Sequence, residues 1–168
     1  GLKNFSRGVR SLGIFEIGNI YRAINEPLNS PIIGVDAKPS AEEIAKLLAH
    51  VPKQPLCIGG FFAGAIERES WWGKGRNFDW SDATDAAVEV VRSCGWEPTI
   101  HASDFAPWHP GRCAELRVNG TMVGHSGELH PRVISALGLP ERAGAFMVNL
   151  DAIPYPESVK AKTITTMV

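Results

Sequence analysis

From Leu12 to Tyr21 the chain reads Leu-Gly-Ile-Phe-Glu-Ile-Gly-Asn-Ile-Tyr, with Ile14, Glu16 and Gly18 facing opposite to Phe15, Ile17 and Asn19. That two-residue period predicts a strand. Ser40 and Glu43 form a Ser-x-x-Glu capping box, and Ile44, Leu47 and Leu48 continue it as a helical stripe that should stop before Pro52. Leu56 to Ile66 is apolar and carries Gly59, Gly60 and Gly64, the mark of a strand that is bent, bulged or closely approached by a neighbouring backbone. Ser70 to Asn77 reads as an exposed loop. Ala83, Ala86, Ala87, Val90 and Val91 then recur at helical spacing from a start near Ser81, and Gly95 is placed to end that helix in the left-handed conformation.

Pro98 to Ser103 predicts a short strand, and Ala106 to Gly111, with two prolines and a glycine, a loop. The strongest local signal follows. Ala114 to Val118 alternates, Asn119-Gly120 supplies two residues that tolerate the positive φ of a type I′ turn, and Thr121 to Gly127 returns as the partner strand. Pro131 can open a short helix closed by Gly138. The last strand is expected over Ala145 to Ala152, with Phe146, Val148 and Leu150 on one face. Strands joined by short turns, with two or three helices, predict an α+β fold: an antiparallel sheet flanked by helices and covered on one side. From Ile153 the texture changes to Pro154, Pro156 and a polar stretch, so residues 153–168 read as a linker and residues 1–152 as the folded domain. Beginning at Gly1 without Met and ending in such a stretch, the chain reads as an excised piece of a longer one.

Composition narrows the function classes. With 168 residues, 44% hydrophobic and 21% charged, the chain can bury a core without disulfides or a structural metal. Its formal net charge of -1, from 17 basic and 18 acidic residues, gives no overall positive field for gripping nucleic acid. Cys57, Cys94 and Cys113 are odd in number and widely spaced, which predicts reduced thiols in a cytoplasmic protein. Apolar runs such as Ala143 to Val148 fall far short of the roughly 20 residues that span a bilayer, so no membrane is expected as a partner.

Three stretches together carry a resemblance. They are Phe15-Glu16-Ile17-Gly18; Phe78-Asp79-Trp80 leading into the central helix; and His109-Pro110-Gly111-Arg112-Cys113-Ala114-Glu115 followed by Gly127-Glu128-Leu129-His130-Pro131. In that order the chain, from about Asn4 to about Ala152, resembles the β-subunits of bacterial phenylalanyl-tRNA synthetases. The paired blocks around the Asn-Gly hairpin carry most of the specificity. The resemblance implies the C-terminal part of a catalytic-like domain with the class II synthetase fold, which supports a catalytic α-subunit in an α2β2 ligase. That enzyme charges tRNA with phenylalanine using ATP and magnesium. It implies no catalytic, cofactor or metal residue on this segment, and places the editing site, the magnesium positions of the β-subunit and the anticodon-binding domain outside it. Where the family has a Lys-Gly step after its Asp-Phe-Phe-Asp pattern, this chain has Ala83-Thr84-Asp85, so no role of that lysine carries over.

Read by their own chemistry, His109, Glu115, His125, Glu128 and His130 invite a metal or acid/base site, the basis of a rival reading as a stand-alone metal-dependent hydrolase. No HExxH or comparable pair supports it. Instead, His109 and His130 precede prolines at a turn and a helix start, and Glu115 and Arg117 lie on the strand face away from the core. Glu128 is expected to accept backbone amides from the start of the Pro131 helix. His109, Gly111, Arg112, Glu115, Glu128 and His130 are read together as a structural or interface motif. A second rival is a small RNA-binding module using Lys74 and Arg76 beside Trp71, Trp72 and Trp80, although partly buried aromatics or a partner interface is the plainer reading. An uncovered apolar face predicts self-association of the isolated chain.

Overall fold

The computed structural model describes residues 2–22, 32–34, 38–139 and 142–155. Of the proposed linker, residues 156–168 lie outside the described residues. Helix α1 (Leu2–Ser6) leads into strand β1 (Leu12–Asn19), and helix α2 (Ala41–Ala49) follows. Next come β2 (Leu56–Ala63), β3 (Ala65–Glu67), β4 (Arg76–Asn77) and helix α3 (Trp80–Ser93). The chain continues through β5 (Thr99–Ala102), β6 (Trp108–Val118), β7 (Thr121–Leu129), helix α4 (Pro131–Ala136), β8 (Ala143–Asn149) and a short 3-10 turn, Leu150–Ala152. Six strands form an antiparallel sheet in the order β1-β2-β8-β7-β6-β5, and β3 and β4 make a separate hairpin.

Local chemistry sets the helix ends. Ser40 caps α2 with both halves of the capping box present, and Asp79 and Asp82 make a second box at the start of α3. Gly95, at φ 88°, follows α3, and the Asn119-Gly120 turn has φ 49° and 78°, both positive as a type I′ turn requires.

Alternation along β8 sorts the core. Phe146 and Val148 join Ala87, Val88, Val91, Leu116, Val118 and Val123 under α3, while Ala143 joins Ala63, Trp108, Cys113, Leu129 and Ile134 on the opposite face. Each fully buried aliphatic side chain there contributes about 1.5–3 kcal/mol. The ring of Phe146 lies over Gly60, where a Cβ would come within 2.1 Å of it. A buried hydrogen bond of 3.0 Å from the Ser126 hydroxyl to Thr84 Oγ1 ties α3 to β7.

Four expectations need correction. The sheet is covered on both faces, because α4 and the start of β6 fold back over the side away from α3. Ala106 to Gly111 is not all loop: β6 begins at Trp108, whose indole N–H donates to the Ala145 carbonyl at 3.0 Å. The prolyl and glycyl residues are accommodated because the β6–β7 register slips between Trp108 and Cys113. Ser70 to Asn77 holds a bridge between Ser70 and Gly73 and then β4. The last strand stops at Asn149, whose side chain accepts the Asp151 N–H at 3.1 Å and turns the chain into the 3-10 helix before Leu150 can extend the strand.

Candidate functional site

The His-Pro-Gly and Gly-Glu-Leu-His-Pro blocks become neighbours because β6 and β7 pair across the Asn-Gly turn. At Gly127 a Cβ would stand 2.0 Å from the Arg112 carbonyl oxygen, so glycine allows the two backbones to approach closely there. Arg112 then reaches Glu128, a buried residue on β7. Arg112 donates from Nη1 to Glu128 Oε1 at 2.9 Å, and Arg142 donates from Nη2 to Oε2 at 2.8 Å. The Glu128 side chain is 6% exposed, against 44% and 52% for the two arginines. One carboxylate is thus gripped by two cations that themselves reach water, and Glu128 holds the Arg142 guanidinium above its usual pKa range.

This overturns the expectation that Glu128 takes amides from α4. That helix is capped by His130, whose Nδ1 accepts the Arg132 N–H at 3.1 Å. With Nδ1 an acceptor, the ring proton sits on Nε2. His109 donates from its own Nδ1 to the Pro110 carbonyl, and the two imidazoles stack with centroids 6.1 Å apart. Gly111, at φ 79°, belongs to the bulged stretch between them.

Glu115 and Arg117 lie on the face opposite Leu116 and Val118 and pair with each other, but that face carries a second core around Cys113 instead of lying away from any core, and the Glu115 side chain is only 18% exposed. Across the β6–β7 ladder from Glu115 stands His125, its Nε2 3.8 Å from Glu115 Oε2. His125, one of the five groups that invite a metal or acid/base site, is buried, its ring stacked 4.2 Å from Phe105 and 5.7 Å from Trp108. Burial pushes its pKa below the ordinary 6.5, and Glu115 pulls the other way.

The five polar candidates therefore divide among separate contacts. Among the described residues, no group of three or more His, Cys, Asp or Glu side chains is placed to hold a metal ion. No helix among them is long and apolar enough to cross a membrane.

Arg76, a candidate RNA contact, is engaged elsewhere: it donates to both oxygens of Asp82 at 2.8 and 2.7 Å and to Glu67 at 3.4 Å. The Arg76 guanidinium holds the Asp82 carboxyl below its usual range, and Asp82 also accepts the Asp79 N–H at 2.7 Å. Arg76 thereby fastens the β3–β4 hairpin to the first turn of α3. Lys74 sits on the exposed turn of that hairpin.

Trp71 and Trp72 are not partly buried. They are 84% and 80% exposed and lie against each other, tilted by 34° with centroids 3.8 Å apart, whereas Trp80 is 38% exposed. Sequence reasoning missed Arg142, the second arm of the Glu128 clamp, because no local pattern connects position 142 to position 128.

Residues 2–150 match the family model described as the phenylalanyl tRNA synthetase beta chain CLM domain. The chain is 42% identical over 170 residues to the phenylalanine–tRNA ligase beta subunit of Streptomyces avermitilis, covering 98% of this chain and 20% of that protein. It is 44% identical over 157 residues to the beta subunit of Thermobifida fusca, covering 90% and 19%, and 40% identical over 163 residues to that of Corynebacterium efficiens, covering 97% and 19%. The chain thus spans about a fifth of the length of these relatives.

Proposed function

We propose a scaffolding role without chemistry of its own for this chain, which belongs to the family of the phenylalanyl tRNA synthetase β-chain CLM domain. In this reading residues 1–152 are the C-terminal part of a class II synthetase-like domain that has no catalytic residues. Its sheet supports an α-subunit in an α2β2 ligase of the cytoplasm, which adenylates phenylalanine with ATP and magnesium and transfers it to tRNA.

The observation that carries the reading is the placement of the charged groups of the family-like blocks. Glu128 is neutralised by Arg112 and Arg142, Glu115 by Arg117, and His130 caps a helix. Each of these groups already has a partner within the chain, which supports a role in holding shape and presenting surface. Apolar side chains left uncovered on that surface support two outcomes, binding of the α-subunit and self-association of the chain in its absence.

The test is co-purification of this chain with the α-subunit from the same source, alongside phenylalanine-dependent ATP–pyrophosphate exchange by the chain alone. A retained complex and no exchange are expected. Exchange activity in the pure chain, or failure to retain the α-subunit, would overturn the proposal.

A further inference from the structure

Two strips of chain lie over the sheet face away from α3. One is the loop of residues 103–107 before β6, and the other is α4, whose Ile134 is buried in one core with Trp108, Cys113 and Leu129. A single bond joins them, because the His130 N–H at the start of α4 donates to the Pro107 carbonyl at 2.9 Å. The two strips form one cover.

Each strip is fastened by a histidine whose contact requires the neutral ring. Phe105 of the loop, itself half exposed, stacks with centroids 4.2 Å apart on His125, which is 4% exposed. An imidazolium under that ring would lose its hydration. At α4, His130 Nδ1 accepts the Arg132 N–H at 3.1 Å. An imidazolium carries hydrogen on both nitrogens, so protonation removes this acceptor and sets a positive charge at the positive end of the helix.

The charged groups around the two rings differ. Beside His125, Glu115 stands 3.8 Å away, beyond hydrogen-bonding distance, and already pairs with Arg117. His101 lies opposite Glu115 on β5, Met147 opposite His125 on β8, and Asp104 next to Phe105 in the loop. Glu115 and the aromatic faces recover part of the cost of a charge, but burial outweighs Glu115 and lowers the His125 pKa. Beside His130, the His109 ring stacks from β6 with centroids 6.1 Å apart, and Arg132 follows on α4. Glu128, two positions earlier, is already shared by Arg112 and Arg142.

We propose that the loop of residues 103–107 and α4 form an acid-released cover, latched by neutral His125 and neutral His130, which leaves the face holding Trp108 and Cys113 before the rest of the domain unfolds. The two latches act in one direction, because each loses its contact on gaining a proton. The bond from His130 to Pro107 couples them. For His125 the contact is fully present above the ordinary 6.5 and is lost as pH falls through the lowered folded value. Release stays local because the core under α3 is built from Ala87, Val88, Val91, Leu116, Val118, Val123, Phe146 and Val148, none of which titrates.

Amide hydrogen exchange of this chain tests it, measured between about pH 8 and pH 5 and expressed as protection factors so that the intrinsic effect of pH cancels. The reporting amides are Arg132, bonded to the His130 ring, Val133 and Ile134, bonded to the His130 carbonyl, and Trp108, bonded to the Phe105 carbonyl. Their protection is expected to fall about ten-fold or more toward acid while the amides of α3 keep theirs. Constant protection at the reporting amides overturns the cover. An equal loss along α3 means that the whole domain opens, and overturns it as well. As a second arm, His130→Asn keeps a neutral acceptor at the cap and His125→Phe keeps a stacked ring, so the double variant is expected to hold its protection across the range. An undiminished acid loss in that variant removes the latches. Should His125→Phe disturb folding, His130→Asn alone is expected to reduce the loss at Arg132 and Val133, and no reduction there overturns the proposal.

Discussion

The ring of Phe78 fills the space that a side chain at Gly144 would need: a Cβ built on Gly144 would lie 1.8 Å from Phe78 Cζ. Phe78 is buried at 3% exposure and stacks against Phe62, with centroids 6.0 Å apart and planes within 6°. The ring has no open space to swing into. The Phe-Asp-Trp stretch ahead of α3 is therefore held down by an absence of atoms on β8, across the sheet from where it begins.

Gly144→Ala is expected to cost about 1–3 kcal/mol, the range for overpacking a filled core. Chemical denaturation would read this as a lower midpoint with an unchanged slope, and a midpoint equal to that of the parent chain would contradict the packing described.

Glu128→Gln removes the charge that both arginines share while keeping a side chain of similar size. Because Arg112 and Arg142 are half exposed, water recovers part of the loss, and the expected cost is about 1–3 kcal/mol, well short of a fully buried pair. Thermal melts of Glu128→Gln and Arg142→Ala check it. An unchanged melting temperature in both would remove the clamp as a source of stability.

His125 predicts a pH dependence of fixed sign. Its folded pKa is lowered by burial, so the unfolded chain binds the proton more readily. The stability it contributes is fully present above the ordinary value of 6.5 and is lost as pH falls from there through the lowered folded pKa. Denaturation midpoints measured between neutral and mildly acidic pH should fall toward acid in the parent chain and less steeply in His125→Phe. Parallel slopes for the two would refute the assignment.

Trp71 and Trp72 contact each other and little else, so replacing both with alanine is expected to change folding stability by no more than about 0.5 kcal/mol. A larger loss in urea denaturation would mean that the pair braces the β3–β4 hairpin.

Much of the fold was legible in the residues because the chemistry that decides it is local. The Ser40 cap, the Asn119-Gly120 turn, Pro131 at the start of α4 and the left-handed Gly95 and Gly138 each depend on atoms within a few positions of one another. Prediction and structure agree closely there. They part at Ala106 to Gly111, where a local reading of two prolines and a glycine predicts a loop and a long-range contact, the Trp108 indole on the Ala145 carbonyl, draws the chain into a strand.

The candidate site divides along the same line. Glu115 facing away from Leu116 follows from strand alternation, but the partners of Glu128 do not follow from anything near it in sequence. By itself the sequence determined the kinds of element, most of their ends, the hairpin and, through the paired motif blocks, the family. Only the tertiary structure decided that β8 inserts between β2 and β7, that both sheet faces are covered near α4, that Arg142 completes the clamp, and that β1 stands at one end of the strand order. The reason is physical: capping and turn energies are set within a few residues, whereas strand order and ion pairing are set by which distant surfaces can be removed from water together.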